Sequence, residues 1–454
     1  MIPEKFEQRM KNILGDGYEG FAMALERESV KGVRVNRDKI SVEDFLKISD
    51  LELYPLSYTE DGFILKNPEG IGNTPEHHAG MIYVQDPGAM ATVNALTVER
   101  GFRVLDACAA PGGKSSQLAE RIGEQGLLVA NEYVGKRAKI IVSNFERLGI
   151  KNALVLSQDT AKYKEMFANY FDLVLCDAPC SGEGMFRKYD EALSEWSEEN
   201  VISSAERQRE ILLNLAPLVR EGGYLLYSTC TYSPEENEEN IAYFLKERED
   251  YELVAPLDAV AAVTAEGISV NGLSDGDRKK CRRFYPHLSE GEGQFIALMQ
   301  RKHAGEARIL YNDQATPLSK QEEAEVKKFI TDCIGYMPGG RLIRQGDLAV
   351  LVSHSCPIPK YSVFMSGVAV GEIKKGRIEP HHQFFSAYGS EFKNRERLKK
   401  GDKRVYAYLR GEEIEAKTAE GGFCAVIYEG AAIGGGKVSG GRIKNHYPKG
   451  LRTR

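Results

Sequence analysis

The stretch Phe102-Arg-Val-Leu-Asp-Ala-Cys-Ala-Ala-Pro-Gly-Gly-Lys114 decides the fold. An apolar run ends at an acidic residue and enters a Pro-Gly-Gly turn. A helical pattern then covers Ser115 to Ile122. Such a turn lets the backbone approach a ligand and aims helix N–H groups at it. The alternation continues beyond it, with strands expected at Gly126–Glu132, Asn152–Ser157, Phe171–Asp177 and Gly223–Cys230. Helical patterns fill 135–148 and about 198–219. Pro234 is expected to open a helix reaching about Arg248, because proline suits the first turn. Tyr251–Ala255 and Gln294–Met299 are candidates for two further strands at the far edge. Near-continuous apolar strands separated by helices imply a parallel sheet covered on both faces. Residues 96–302 therefore read as a doubly wound α/β domain, with its ligand outside the carboxyl ends of the strands.

Working outward, residues 1–95 mix helical segments (Phe6–Leu14, Gly17–Glu28) with short strands (Lys31–Asn36, Gly62–Leu65), a small α+β domain. Residues 303–340 read as a helical connector. Residues 341–454 read as β-rich, with segments at Asp347–Val352, Ser362–Val370, Arg404–Leu409 and Gly422–Tyr428.

Composition narrows the class. With 454 residues, 42% hydrophobic and 28% charged, the chain is an ordinary globular one, neither disordered nor collagen-like. No run approaches ~18 consecutive apolar residues, so no membrane span is expected. Met1 to Met10 lacks the apolar centre of a signal peptide. Eight cysteines with no C-x-x-C pair argue against a disulfide framework or structural zinc and fit a reducing cytoplasm. His77-His78 and His381-His382 have no further ligands at metal spacing, so no metal is expected. The net charge of −6 hides a division. Residues 303–454 hold 25 Lys and Arg against 17 Asp and Glu, leaving 35 against 49 in residues 1–302. A basic C-terminal third suggests a polyanionic partner.

The glycine turn alone reads as chain reversal. It is neither G-x-G-x-x-G nor a P-loop, since Cys108 stands where a P-loop needs glycine. Acidic residues nevertheless end four successive strands: Asp106, Glu132, Asp159 and Asp177. Each alone suits a helix cap, but four in phase converge on one crevice. Glu132, about 20 residues past the turn, can hold ribose hydroxyls. Without a pyrophosphate fingerprint the ligand reads as a nucleoside lacking phosphates, and S-adenosylmethionine fits. Strand four continues as Asp177-Ala-Pro-Cys-Ser-Gly-Glu-Gly-Met-Phe-Arg-Lys188 and strand five ends Tyr227-Ser-Thr-Cys-Thr-Tyr232, so Cys180 and Cys230 end adjacent strands. Cys176 reads as a buried filler, Cys108 as packing beside the turn, and Cys281, Cys333, Cys356 and Cys424 as structural.

These motifs, with Tyr83-Val-Gln-Asp-Pro-Gly-Ala-Met90, Arg283-Phe-Tyr-Pro-His287 and Gly293-Gln-Phe-Ile296, resemble the Sun/Nop-type RNA cytosine-C5 methyltransferases, in particular the RsmF-like ribosomal RNA branch. The resemblance implies a Rossmann-like class I methyltransferase, an N-terminal RNA-binding domain and a C-terminal PUA-like RNA-binding domain. It implies S-adenosylmethionine held by Cys108, Ala109, Ala110, Pro111, Gly112, Gly113 and Lys114 with Glu132, Asp159 and Asp177. Cys230 would be the nucleophile, Cys180 would assist release, and Asp177 would hold the base. Gln294 departs from the aromatic residue of many relatives. A monomer acting on ribosomal RNA, free or in an assembled subunit, is the expected arrangement.

The chemistry needs two thiols. C5 of cytosine is a poor nucleophile, and a thiolate adding at C6 makes it enamine-like. Lys114 or Arg187-Lys188 are candidates to favour that thiolate. The basic runs Arg278–Arg283, Lys374–Arg377, Lys393–Lys400 and Lys449–Arg454 are expected to meet phosphates. Other readings are a transfer RNA methyltransferase, an exocyclic-amine methyltransferase, a non-catalytic assembly factor and a P-loop NTPase. Cysteine at 180, where amine methyltransferases place an aromatic, argues against the second. The complete thiol pair argues against the third.

Overall fold

The computed structural model describes residues 2–303, 313–352, 357–359 and 362–453. At its centre lies a ten-stranded sheet. Five strands are parallel: β1 (Arg103–Asp106), β2 (Leu127–Asn131), β3 (Ala153–Leu156), β4 (Phe171–Asp177) and β5 (Val219–Thr229), in the order β5-β4-β1-β2-β3. Alternate residues enter two separate cores: Leu105, Val129, Val174 and Tyr227 on one face, Val104, Leu128, Leu175 and Leu226 on the other. Both faces are covered, which is why these strands read as continuous apolar runs.

The expected edge strands appear as β6 (Tyr251–Val254) and, after β7 (Ala265–Glu266) and β8 (Arg282–Phe284), β9 (Gln294–Arg301). β9 runs antiparallel to β5, pairing Ile296 with Ser228 and Phe295 with Thr229, and so brings Gln294 beside Cys230. Gln294 is itself buried. At the opposite end, β10 (Val363–Ser366) pairs antiparallel with β3, so the C-terminal region adds the last strand of the central sheet.

Four expectations need correction. Pro234 does not open the following helix, which covers Glu238–Glu247. Its carbonyl accepts from Asn237 and Glu239 N–H in a preceding turn. Arg404–Leu409 is not a strand but part of the helix Lys403–Leu409, started by the Asp402 side chain accepting from Arg404 N–H. Ser362–Val370 is broken at Gly367, β10 joining the catalytic sheet and Val368–Lys374 a different one. The supposed connector is no spacer. Its helix Lys320–Ile334 buries Val326, Ile330 and Ile334 against Leu351, Val370 and Phe384, inside the C-terminal core. Residues 304–312 and Cys356 lie outside the described residues.

The N-terminal region forms a four-stranded antiparallel sheet. Buried Arg34 bolts it to the helix Gly113–Ile122, donating to Glu120 at 2.7 Å and to Ser116 Oγ at 2.8 Å. The last sheet, around Gly422–Tyr428 and Ala431–Ser439, shares a core with it, Val33 and Phe63 belonging to one hydrophobic cluster with Val426 and Ile433.

Much of the basic sequence is used internally. Within 278–283, Arg278 pairs with Glu266 and Asp275, Lys279 with Asp275 and Lys280 with Asp277, while Arg282 donates to Thr264. Arg283 is buried against Glu238. This run is therefore largely paired within the protein, while the Lys279 side chain stays about half exposed. Glu238→Ala would leave a buried guanidinium without its carboxylate and is expected to cost about 3–5 kcal/mol, read as a fall in Tm. In the C-terminal runs Lys374 pairs with Glu372, Arg377 with Glu379, Lys399 with Glu429 and Lys400 with Asp50, and these side chains, like Lys375 and Lys449, stay exposed.

Candidate active site

The carboxyl ends of β1, β2, β4 and β5 form one crevice. The sequence between β1 and the helix Gly113–Ile122 turns there, with Gly112 at φ 109°, a conformation that glycine adopts without strain. Asn144 donates to Pro111 O, and Arg137 donates to Ala110 O. Ala109 N–H donates to Asn131 O, so the turn is fixed to β2. Asn131, which no sequence pattern singles out, is the organiser of this end. Its amide donates to Ala107 O and Gln158 O, and its oxygen accepts from Gln158 N–H and Tyr163 Oη.

The four expected acids occupy different environments. Asp106 is buried, bonded to Ser115 Oγ, with Oδ1 unpartnered, and burial pushes its carboxyl up to about 7. Glu132 accepts from Val134 N–H and pairs with Arg137. Asp159 caps the short turn Thr160–Lys162 by accepting from Ala161 N–H, so its capping role is real. Asp177 accepts from Lys114 Nζ at 2.7 Å and from Ser228 Oγ at 2.6 Å. Tyr133 and Val134, which follow Glu132, are exposed at the crevice edge, an apolar lip beside its carboxylate. Glycine turn, carboxylate, apolar lip and an orphaned buried carboxyl oxygen suit a nucleoside carrying a cationic amino-acid tail.

Cys180 and Cys230 meet at a sulfur–sulfur distance of 3.2 Å. Both are free thiols. The hydrogen bond with Cys230, followed by burial, pushes the Cys180 thiol well above its ordinary value. Lys114 is the cation near this pair. Burial pulls its ammonium down, but Asp177 outweighs burial and the net shift is upward, with Cys230 also favouring the charged form. Of the other candidate cations, Arg187 is held by Glu292, Gly291 O and Ala24 O. Lys188 pairs with Asp86. Cys176 is buried and bonded to Cys108, which packs against the core beside the turn.

The loops carrying the thiols are clamped. Gly184 N–H donates to Cys230 O at 2.8 Å, and a Cβ at Gly184 would stand 2.8 Å from that same oxygen, so only glycine fits. Gln208 donates to Pro179 O, just before Cys180, and Asn237 donates to Thr231 O, just after Cys230. Two buried acids, Glu183 and Glu236, complete the clamp. Their signal in the sequence is an acid shortly after each Cys-hydroxyl pair, Cys180-Ser181 and Cys230-Thr231.

The profile described as 16S rRNA methyltransferase RsmB/F matches residues 93–300. Those of the RsmF N-terminal domain and the RsmF PUA domain match residues 2–87 and 396–453. A Vibrio campbellii protein named ribosomal RNA small subunit methyltransferase F is 32% identical over 99% of this chain and 97% of its own. Its Vibrio parahaemolyticus namesake is 30% identical with the same coverage. A methyltransferase homolog from Pyrococcus horikoshii superposes with a TM-score of 0.58 at 30% identity, covering 66% of this chain and 95% of that one.

Proposed function

This chain belongs to the ribosomal RNA small subunit methyltransferase F family, and from that premise we propose that it forms 5-methylcytosine in small-subunit ribosomal RNA through a covalent Cys230 adduct. It is an S-adenosylmethionine-dependent RNA methyltransferase. The observation that carries the cytosine-C5 reading is the pair of free thiols 3.2 Å apart beside Asp177 and Lys114.

The cofactor, when bound, supplies an electrophilic methyl group. Residues Cys108 to Lys114 would hold its amino-acid part, Glu132 its ribose, and Asp159 its adenine edge, with Tyr133 and Val134 against the ring. Glu132→Ala is expected to weaken S-adenosylmethionine binding roughly 10- to 100-fold, the loss of hydrogen bonds to a charged acceptor, read by calorimetry.

Cys230 Sγ, as thiolate, adds to C6 of the target cytosine, and the ring electrons make C5 nucleophilic. Lys114 supports the thiolate by its charge. Asp177, fixed by Lys114 and Ser228, accepts from the amino edge of the base and stabilises the adduct. After C5 gains its methyl group, Cys180, which gives up its own proton to solvent once Cys230 Sγ is bonded to carbon and no longer charged, takes the C5 proton as a thiolate. The electron pair of that C–H bond then re-forms the C5–C6 double bond as the Cys230–C6 bond breaks. Such attack needs an unstacked base, which the N-terminal and PUA-like domains would present by holding flanking RNA. Thiol, carboxylate and ammonium suffice for each step, so this reading needs no metal, and a monomer carries all of these groups. It works in the cytoplasm, where thiols stay reduced.

The test is direct. Purified protein with S-adenosylmethionine and small-subunit RNA, free or in the assembled subunit, should yield 5-methylcytidine by nucleoside mass spectrometry. Methyl groups only on exocyclic amines, or on transfer RNA alone, would overturn the reading.

A further inference from the structure

Glu236 and Glu183 lie on either side of a pair of hydroxyls that follow the two cysteines. Ser181 Oγ is 2.5 Å from Glu236 Oε1, Ser181 Oγ is 3.0 Å from Thr231 Oγ1, and Thr231 Oγ1 is 2.9 Å from Glu183 Oε2. All four side chains are buried. Three contacts in a row need three protons, and two hydroxyls supply only two. If both acids were ionised, each hydroxyl would donate outward and the central Ser181–Thr231 contact would hold no proton.

Surroundings decide which acid carries the third. Glu183 faces a cation, Arg9 of the N-terminal helix Glu4–Leu14, at 3.2 Å, and accepts further from Trp196 Nε1 and Tyr232 N–H. Glu236 makes no ion pair among the described residues. Its Oε2 accepts from Ser181 N–H and Gln208 Nε2, as a carbonyl oxygen does, which leaves Oε1 as the hydroxyl.

We propose that Glu236 is a neutral carboxylic acid in the working enzyme and donates the proton that completes a chain from Glu236 through Ser181 and Thr231 to Glu183. That chain ties the residue after Cys180 to the residue after Cys230 and so sets the distance between the two thiols. Burial pushes both carboxyls up, Glu236 to about 7, and Glu183 alone has a paired cation to oppose it. The titratable groups around it are Glu183, Cys180 and Tyr227, with Arg9 and Glu235 beyond Glu183. Below about 7 the acid is protonated and the chain complete. Above it the proton is lost, the central link opens, and Cys180 loses its fixed place over the adduct. Glu236 is thus a positioning residue whose effect falls on release more than on attack.

The inference rests on the covalent reading, so the experiment separates the two. The full-length protein, S-adenosylmethionine and small-subunit RNA are mixed and quenched in detergent, and adduct formation and decay are followed from about pH 6 to about pH 8.5, a range that brackets the carboxyl's titration. Glu236→Gln keeps a neutral donor in place at every pH. Dividing the wild-type decay rate by that of the Glu236→Gln variant removes the part of the cysteine titrations that the two proteins share. It leaves the effect of Glu236, through the chain and through its charge on Cys180, and Ser181→Ala separates these two because it keeps Glu236. That ratio is expected to fall about tenfold across the range, the loss of one buried hydrogen bond. A ratio independent of pH overturns the proposal. Ser181→Ala, removing the central hydroxyl, is expected to slow decay about tenfold at the acidic end of the range with formation changed less than about threefold, and Ser181→Thr to restore decay. Equal slowing of both steps overturns it. If Cys180→Ser traps no adduct at all, the covalent reading fails; if it traps one while the ratio stays flat, only the Glu236 proposal fails.

Discussion

Cys230→Ala is expected to lower methylation of small-subunit RNA by ~10⁴-fold or more, with the fold and cofactor binding retained. The thiol is only partly buried, and its loop is held by backbone and neighbouring side chains rather than by the sulfur. Removing the sulfur therefore deletes the nucleophile while the clamp around it persists. Without addition at C6, C5 has no electron density to direct at a methyl sulfonium, and no other group takes over. Cys180 stands 3.2 Å away but ends a different strand, and its thiol is pushed well above its ordinary value by the bond to Cys230 and by burial. The check is methyl transfer from labelled S-adenosylmethionine, with calorimetry confirming that the variant still binds the cofactor.

Cys180→Ser produces a different failure. Serine preserves the shape of the loop, and the bonds of Pro179 and Ser181 to Gln208 and Glu236 do not involve the sulfur. Attack and methyl transfer proceed, but the C5 proton has no thiolate to receive it. The covalent complex is then expected to persist, with turnover reduced roughly 10²–10⁴-fold, the scale of a lost general base. Protein shifted to the mass of a protein–RNA conjugate on a denaturing gel is the readout. One substitution prevents the adduct and the other prevents its resolution, an asymmetry that a purely structural pair of cysteines would not show.

The central sheet was legible because its strands are buried on both faces. β4 carries Phe171 to Asp177 without a polar interruption except Asp172, and its limits match the apolar run. The C-terminal third was less legible because local pattern and tertiary use diverge there. Arg404–Leu409 alternates like a strand, yet the Asp402 cap starts a helix that buries Val405, Tyr408 and Leu409 on one side. The pairing of β10 with β3 joins residues about 200 apart, which no local pattern records. At the site, the cysteines, Asp177 and Glu132 could be named because they end strands in phase. Asn131 could not, since an asparagine in a strand carries no sign of its partners, and Glu183 and Glu236 show only their places shortly after Cys180-Ser181 and Cys230-Thr231, with no sign of burial. Nor could the fate of Arg283 be read, whose acidic partner Glu238 comes from a sequence-distant helix, although Asp275 and Asp277, the partners of Arg278, Lys279 and Lys280, are neighbours in sequence.

The most direct measurement is the trapped adduct itself. Cys180→Ser, incubated with S-adenosylmethionine and small-subunit RNA, should give a denaturant-stable protein–RNA band whose RNA carries the bond at a cytosine. The same protein with Cys230→Ala added should give none. A band that survives loss of Cys230 would contradict the assignment of the nucleophile, and with it the reaction proposed for this fold.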